Sequence, residues 1–311
     1  FFTFFFFMII DAHMHIWKRI KGCVRNEQPV RSLGSGKIRI GDQEMLGMPA
    51  SFIDCSALAE YVLAEFDAAG VTAGVVVQEY LDGPQNYYIL DVASNYPERF
   101  FMHALPNFFE PDKVDEEAGN LFDQGFRGLK VCGGHLLDKV SLDDRRFFPV
   151  WERMENEGLV LSVDFSEGEI QVPEFENVMK AFPNLKVAIG HFGMPNRGGW
   201  PGQLELCRHK NVYIECGGII WIYRSEGYPF ESGRDALKSA GLKVGYDKIM
   251  WGSDWPRTMV DFTYRQSLDF ILTDDVIGSE DKAAILGANA AKLYGFKKPR
   301  LVDRIPLITE G

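Results

Sequence analysis

Short apolar runs alternate with amphipathic segments along most of this chain. This alternation predicts βα units and a parallel sheet, because a helix usually carries the chain back between two parallel strands. The predicted strands are 8–12, 71–77, 100–105, 126–131, 159–164, 185–190, 211–216 and 247–251. Eight such strands in 311 residues, with no linker or internal repeat between them, predict an α/β fold with one domain, a (β/α)8 TIM barrel.

The segments between these strands predict helices that end at glycine or before proline. Their ranges are 56–69, 84–95, 112–124, 143–157 and 173–182. Residues 16–55 differ, because they are rich in glycine, proline and charge and have no helical periodicity. We expect this insertion after strand 1 to lie on the catalytic face as a lid or specificity wall. Its Arg19, Arg25 and Arg31 are either substrate contacts or solvated surface charges.

Three predicted strands end in residue types that bind metal ions. His13 and His15 are two residues apart, so an extended strand places both imidazoles on one face, where they can share a cation. His191 follows a second apolar strand and Asp254 a third. The carboxyl ends of barrel strands meet at one face, so the sequence predicts a metal site there. The alternatives for His13 and His15 are an electrophilic pair that binds a substrate oxygen without metal, and core histidines.

These residues lie in motifs that resemble the amidohydrolase superfamily, and within it the amidohydrolase-2 branch of lactonases and decarboxylases. The motifs are His13-x-His15, Gly190-His191-Phe192-Gly193, Trp251-Gly252-Ser253-Asp254-Trp255-Pro256 and the segment 287–295. The resemblance implies that His13, His15 and Asp254 bind a divalent metal, zinc or manganese. It also implies that His191 either binds the metal or polarises the substrate carbonyl, and that Asp254 is the general base. A helix N-cap is the competing interpretation of Asp254, which precedes Pro256.

The chain departs from the family pattern at strand 5. Many members have a histidine at the end of this strand, whereas the segment 159–165 has none and carries Asp164 near its end. Asp164 is therefore a candidate oxygen ligand for the metal, and an incomplete site is the alternative. Some lactonases of this branch resemble this pattern and use a weakly bound metal or none.

Several further residues are candidates for contact with a substrate. Lys130 closes strand 4, and we expect an unmodified cation that pairs with a substrate carboxylate or carbonyl; a carbamylated lysine that bridges two metals is the alternative. The other candidate substrate contacts are His135, Gln78, Trp221 and Arg224, with the acids Glu79 and Glu215 held as secondary site candidates. His103 belongs either to the pocket or to the core.

The resemblance implies an enzyme that hydrolyses a small lactone or a carboxylated, ester-like substrate by attack of water. The alternatives are a metal-dependent, non-oxidative decarboxylase of an aromatic or muconate-type acid, and a binding protein built on a barrel that has lost its activity. A homodimer is the assembly that the resemblance implies, because dimers are common among relatives.

Composition restricts the remaining possibilities. A net charge of −11 argues against binding of nucleic acid, and five cysteines without a C-x-x-C pair indicate a reducing cytoplasm. The phenylalanine-rich residues 1–7 are far shorter than the roughly 20 residues of a membrane span. We expect Met8 to be the natural start and residues 1–7 to be foreign to the domain 8–311. A hydrophobic extension that packs on a neighbouring subunit is the alternative.

Overall fold

The computed structural model of this protein describes residues 8–165 and 168–297. The expectation for residues 1–7 lies outside these ranges. The strands are β1 (Ile10–Met14), β2 (Cys23–Val24), β3 (Gln28–Gly34), β4 (Lys37–Ile40), β5 (Gln43–Leu46), β6 (Ala73–Val76), β7 (Phe100–Ala104), β8 (Gly128–Cys132), β9 (Val160–Asp164), β10 (Lys186–Ile189), β11 (Val212–Glu215) and β12 (Ile249–Met250).

The α-helices surround the larger of two sheets. They are α1 (Ala59–Ala69), α2 (Asn86–Asn95), α3 (Val114–Asp123), α4 (Gly133–Leu136), α5 (Phe148–Glu157), α6 (Gly168–Ala181), α7 (Trp200–Leu206), α8 (Ile219–Ile222), α9 (Glu231–Val244), α10 (Tyr264–Leu272), α11 (Ser279–Ala283) and α12 (Asn289–Tyr294). In the described part of the chain, every helix is too short or too polar to cross a bilayer.

The larger sheet has eight parallel strands in the order β1-β6-β7-β8-β9-β10-β11-β12. Its strands lie close to the predicted ranges, and the prediction of a (β/α)8 barrel is confirmed. Each of these strands is almost entirely buried, because side chains face the barrel interior on one side and the helices on the other.

A seam between the first and last strands closes the barrel. The amide of Ala12 donates to the carbonyl of Trp251 at 2.8 Å, and the amide of Asp254 donates to the carbonyl of His13 at 2.8 Å. The buried Asp11 carboxylate adds to the seam, because it accepts hydrogen bonds from the amide and hydroxyl of Ser253 at 2.8 and 2.5 Å and from the Tyr264 hydroxyl at 2.9 Å. The seam therefore joins the two segments that carry the predicted metal ligands.

The insertion after β1 contains a second sheet with the order β2-β3-β4-β5 and antiparallel pairing. Ile38 and Ile40 alternate with charged residues on β4, and Ile38 lies directly opposite Met45 on β5. Residues two apart on a strand share a face, so these apolar side chains lie on one face of this sheet. Arg39 and Glu44 lie on the other face and form an exposed ion pair.

One helix starts earlier than the sequence suggests. We expect a helix over 173–182, but α6 is already helical at Gly168 and contains Pro173 in its interior. Five residues of the helix precede the proline in the described chain, so Pro173 costs the helix one interior hydrogen bond, the one that an amide at this position would donate to the Glu169 carbonyl. The prediction of a start at the proline was wrong, because the helix continues through a proline in its interior.

Candidate active site

A cleft of about 390 Å³ opens at the carboxyl ends of the barrel strands. Its floor contains His15, His191 and Asp254, and the insertion sheet forms one side. The other lining residues are Ile38, Ile40, Met45, Leu46, Gly47, Glu79, Leu81, His135, Trp221, Arg224, Arg257, Val260 and Asp261. The insertion therefore forms a wall of the cleft, as its position after strand 1 predicts.

The four strand-end residues converge at this floor. The Nε2 atoms of His13 and His15 lie 3.2 Å apart. Asp254 Oδ1 lies 3.0 Å from His15 Nε2 and 3.7 Å from His13 Nε2. The rings of His13 and His191 have centroids 4.5 Å apart. The predicted convergence at the carboxyl face of the barrel is therefore present, with His13 buried beneath the other residues.

The second ring nitrogen of each histidine faces a hydrogen-bond acceptor. Nδ1 of His13 lies 2.6 Å from Glu215 Oε1, that of His15 lies 3.2 Å from the Val77 carbonyl, and that of His191 lies 3.0 Å from the Gly217 carbonyl. A proton on each Nδ1 satisfies these acceptors and leaves the Nε2 lone pair of a neutral ring free. Histidines that bind metals have this arrangement.

Glycines provide the space that the Glu215 carboxylate needs. A Cβ on Gly217 would lie 2.6 Å from Glu215 Oε2 and 2.8 Å from His13 Cβ. A Cβ on Gly252 would lie 3.0 Å from the same oxygen. Carbon atoms cannot approach a carboxylate so closely without displacing it, so glycine at both positions keeps Glu215 against His13.

The buried charges shift one another's pKa values. Burial lowers the pKa of His13 well below its usual value, and the nearby His191 and His15 lower it further, so His13 is neutral. Burial raises the pKa of Glu215 to about 7. Burial alone would raise the pKa of Asp254, but the hydrogen bond with His15 and the charge on His191 outweigh it and hold that pKa below its usual range. Asp254 is therefore a carboxylate at neutral pH.

This donor set fits a divalent cation. The ligand atoms of His13, His191 and Asp254 all lie within 4.8 Å of one another, and His15 Nε2 lies closer still to two of them. Zinc bonds of 2.0–2.1 Å in a tetrahedron separate neighbouring ligand atoms by about 3.3 Å. The separations of 3.0, 3.2 and 3.7 Å among His13, His15 and Asp254 bracket this value. Two imidazole nitrogens and a carboxylate oxygen that converge at these distances form a donor set that a divalent cation can occupy.

Two of these residues have an unusual backbone conformation. His191 has φ 51° and Asp254 has φ 56°, both in the left-handed region. Residues other than glycine rarely adopt this region, and each such residue costs on the order of 1–3 kcal/mol. The Asp254 side chain accepts a hydrogen bond from the Trp221 indole at 2.8 Å and contacts His15, so it does not cap a helix.

The structure places two predicted residues beneath the site. Lys130 is fully buried, and its Nζ lies 2.5 Å from Asp164 Oδ2. The same Asp164 oxygen lies 3.9 Å from His191 Nε2, and Asp164 is outside the group of ligand atoms within 4.8 Å. Gly190 makes room for this pair, because a Cβ there would lie 1.7 Å from Asp164 Oδ1. Lys130 thus faces a carboxylate of the chain itself.

The remaining candidates divide between the cleft and its surroundings. Among described residues, the lining includes His135, Trp221 and Arg224 but neither Lys130 nor Gln78. The Gln78 amide donates to Asn86 Oδ1 at 2.7 Å and to the His103 carbonyl at 2.8 Å. His103 is itself fully buried in the barrel. The insertion arginines at positions 19, 25 and 31 are also outside the lining.

Glu215, a secondary candidate from the sequence, lies against His13, and Arg257, which was not among the predicted residues, lines the cleft. Glu215 ends an otherwise apolar strand, and a carboxylate in that position was the available signal. Arg257 lines the cleft, with its guanidinium 5.1 Å from the Trp17 ring and Nη2 2.5 Å from Asp82 Oδ1. Its position three residues after Asp254 was the only clue in the sequence.

Known proteins resemble this chain in sequence and in fold. The chain is 23% identical over 250 residues to 4-sulfomuconolactone hydrolase of Hydrogenophaga intermedia, covering 77% of this chain and 80% of that protein. A probable 2-pyrone-4,6-dicarboxylic acid hydrolase from Acinetobacter baumannii has the same fold, with a TM-score of 0.68, 20% identity and coverage of 93% and 99%. A zinc-bound amidohydrolase from Burkholderia multivorans gives a TM-score of 0.69, 16% identity and coverage of 93% and 100%. The sequence profile of the amidohydrolase family matches residues 10–296, so the chain belongs to the amidohydrolase family.

Proposed function

We propose that this protein hydrolyses a lactone by adding water to the ring carbonyl, with Asp254 as general base. The observation that carries this proposal is the position of Asp254 on the cleft floor, where its two oxygens contact His15 and the Trp221 indole. These contacts fix the carboxylate beside the histidines. The hydrolase named for a sulfomuconolactone, which resembles this chain over most of its length, supports a lactone as substrate.

The residues of the floor divide the reaction between them. Asp254 accepts a proton from the attacking water as the new C–O bond forms at the carbonyl carbon, and then returns a proton to the ring oxygen as the ring C–O bond breaks. The products balance as lactone plus water giving one hydroxy acid. The low pKa of Asp254 keeps it ionised before the reaction, as a general base requires.

His191 would stabilise the developing oxyanion in this proposal. Burial opposes its protonation, but the carboxylates of Asp164, Asp254 and Glu215 outweigh burial and raise the pKa of His191. With Nδ1 bonded to the Gly217 carbonyl, a protonated ring can donate from Nε2 to a substrate oxygen in the cleft.

His13, His15 and Asp254, with His191 adjacent, are the residues that would hold a divalent cation, and zinc suits this mixed nitrogen and oxygen set, as does manganese. A bound cation would act as a Lewis acid on the carbonyl oxygen and would lower the pKa of water. Glu215 and the Val77 carbonyl hold the two histidine rings in the required orientation.

The test is the substitution Asp254→Asn, which keeps the size of the side chain but removes its capacity to accept a proton. We expect turnover of a cleaved lactone to fall by at least about 10²-fold while KM changes little. Asp261→Asn is the matched control, because Asp261 also lines the cleft but pairs with the exposed Arg224. Hydrolysis by Asp254→Asn at the wild-type rate would exclude the mechanism. Release of carbon dioxide from an aromatic acid, without lactone hydrolysis, would establish the decarboxylase alternative.

A further inference from the structure

The wall that the insertion contributes to the cleft is apolar. Ile38, Ile40 and Met45 share one face of the insertion sheet, and all three line the cleft together with Leu46. Met45 and Leu46 leave 39% and 47% of their surfaces exposed. Exposed apolar side chains that border a catalytic cleft indicate a surface that a ligand covers.

The opposite face of the same sheet is charged. Arg39 lies directly across from Glu44, and the two form an exposed ion pair. The sheet therefore carries Arg39 and Glu44 on one face and turns the face with Ile38, Ile40 and Met45 to the cleft. We call this second face, formed by Ile38, Ile40 and Met45, the apolar wall. Leu46 lies opposite Lys37 on the other face and lines the cleft from the end of β5.

The charges in the cleft are already paired. The described lining contains two arginines, Arg224 and Arg257, against three carboxylates. Arg257 Nη2 lies 2.5 Å from Asp82 Oδ1, and Arg224 Nη1 lies 3.3 Å from Asp261 Oδ2. His135 Nε2 likewise lies 3.0 Å from Glu79 Oε1.

This pairing limits the charge of the ligand. A doubly anionic ligand would have to compete with Asp82 and Asp261 for the two guanidiniums, and each displaced carboxylate would lose its partner. These paired guanidiniums therefore favour a substrate with at most one negative charge.

We propose that the cleft selects a lactone whose uncharged apolar substituent packs against the apolar wall and which carries at most one negative charge. This inference rests on the proposed function for the reaction, but the wall and the paired charges define the ligand class on their own. The amphipathic insertion, rather than the catalytic floor, determines this specificity.

The test compares 2-pyrones that share one ring. The probes are 2-pyrone-4,6-dicarboxylate, 4,6-dimethyl-2-pyrone, 6-pentyl-2-pyrone and unsubstituted 2-pyrone, with Kd measured calorimetrically on Asp254→Asn protein and hydrolysis measured on the wild type. Each buried methylene increases affinity by up to about fourfold. We therefore expect 6-pentyl-2-pyrone to bind at least about tenfold more tightly than the dicarboxylate, and the dimethyl compound to bind more tightly than the dicarboxylate.

The variant Met45→Gln replaces an apolar wall residue with a polar one of similar length. We expect it to weaken binding of 6-pentyl-2-pyrone by about three- to tenfold and to leave binding of unsubstituted 2-pyrone unchanged. Glu44→Gln is the control, because Glu44 is the neighbouring residue but lies on the charged face. It should change neither affinity.

The binding and hydrolysis measurements separate the two proposals. Tighter binding of the dicarboxylate, or an unchanged affinity of Met45→Gln for the pentyl compound, overturns the ligand class. Binding in the expected order without hydrolysis of any probe supports the ligand class and overturns the lactonase reaction. Hydrolysis with preference for the dicarboxylate supports the lactonase reaction and overturns the ligand class.

Discussion

The carboxylate of Glu215 is expected to control metal affinity without binding the metal. It accepts three hydrogen bonds: from His13 Nδ1 at 2.6 Å, from the His191 amide at 3.0 Å and from the Gly217 amide at 2.5 Å. The substitution Glu215→Gln keeps the shape of the side chain but replaces one accepting oxygen with an NH2 group. In either orientation of the amide, at least one of these N–H groups then faces another donor.

The magnitude follows from the loss of one buried partner. A buried donor without an acceptor costs about 1–3 kcal/mol. If His13 loses its orientation or its charged partner, this cost appears in metal affinity as a factor of about 5–150. This range includes the effect of about 10- to 100-fold that is usual when a group that orients a ligand is removed. We therefore expect Glu215→Gln to weaken zinc binding by about 10- to 100-fold.

Competition between the protein and a colorimetric chelator would measure zinc affinity directly, and circular dichroism would show that the variant is folded. Glu79→Gln is the control, because Glu79 is also a carboxylate at the cleft but pairs with His135 and not with His13. Wild-type zinc affinity in folded Glu215→Gln would refute the assignment of Glu215 as the group that orients His13.

Two further predictions concern the layer beneath the site. Gly190→Ala places a Cβ 1.7 Å from Asp164 Oδ1, so we expect the carboxylate to move away from Lys130 and the free energy of unfolding in urea to fall by about 1–3 kcal/mol. Gly198→Ala is the control, because its Cβ would meet its nearest atom at 3.5 Å, and it should change stability much less. Equal losses in the two variants would contradict the argument. Lys130→Met leaves Asp164 without its buried partner and should cost about 3 kcal/mol or more, with part of the loss recovered in the double variant Lys130→Met/Asp164→Asn; no recovery would show that the loss does not come from the carboxylate.

The barrel and the core of the site were predictable because local patterns specify them. Apolar strands that end in His13, His191 and Asp254 can be identified along the chain, and the barrel brings their ends together. The pairing of Lys130 with Asp164 could not be predicted, because it joins two adjacent strands and depends on which way each side chain points. Substrate contact by Lys130 was a reasonable expectation from its strand position alone.

The role of the insertion could be predicted only in part from the sequence. The alternation Lys37-Ile38-Arg39-Ile40 is a strand pattern of period two, but it spans only four residues in a segment rich in glycine and charge. That this strand forms a wall of the cleft follows only from the pairing of β4 with β5, which turns the isoleucines to the cleft. Arg257 was missed for a similar reason, because its role depends on contacts with Asp82 and Trp17, which are distant in sequence.

The seam of the barrel has a consequence for how the protein opens. β12 has only two residues, so the closure between the first and last barrel strands depends on a few backbone hydrogen bonds and on the side chain of Asp11, two residues before His13. A ligand held jointly by His13 and Asp254 bridges these two strands. When the ligand dissociates, only the contacts of the seam hold the two strands together. Occupancy of the site and the stability of barrel closure are then thermodynamically linked, so a ligand that binds there also stabilises the contact between the first and last barrel strands.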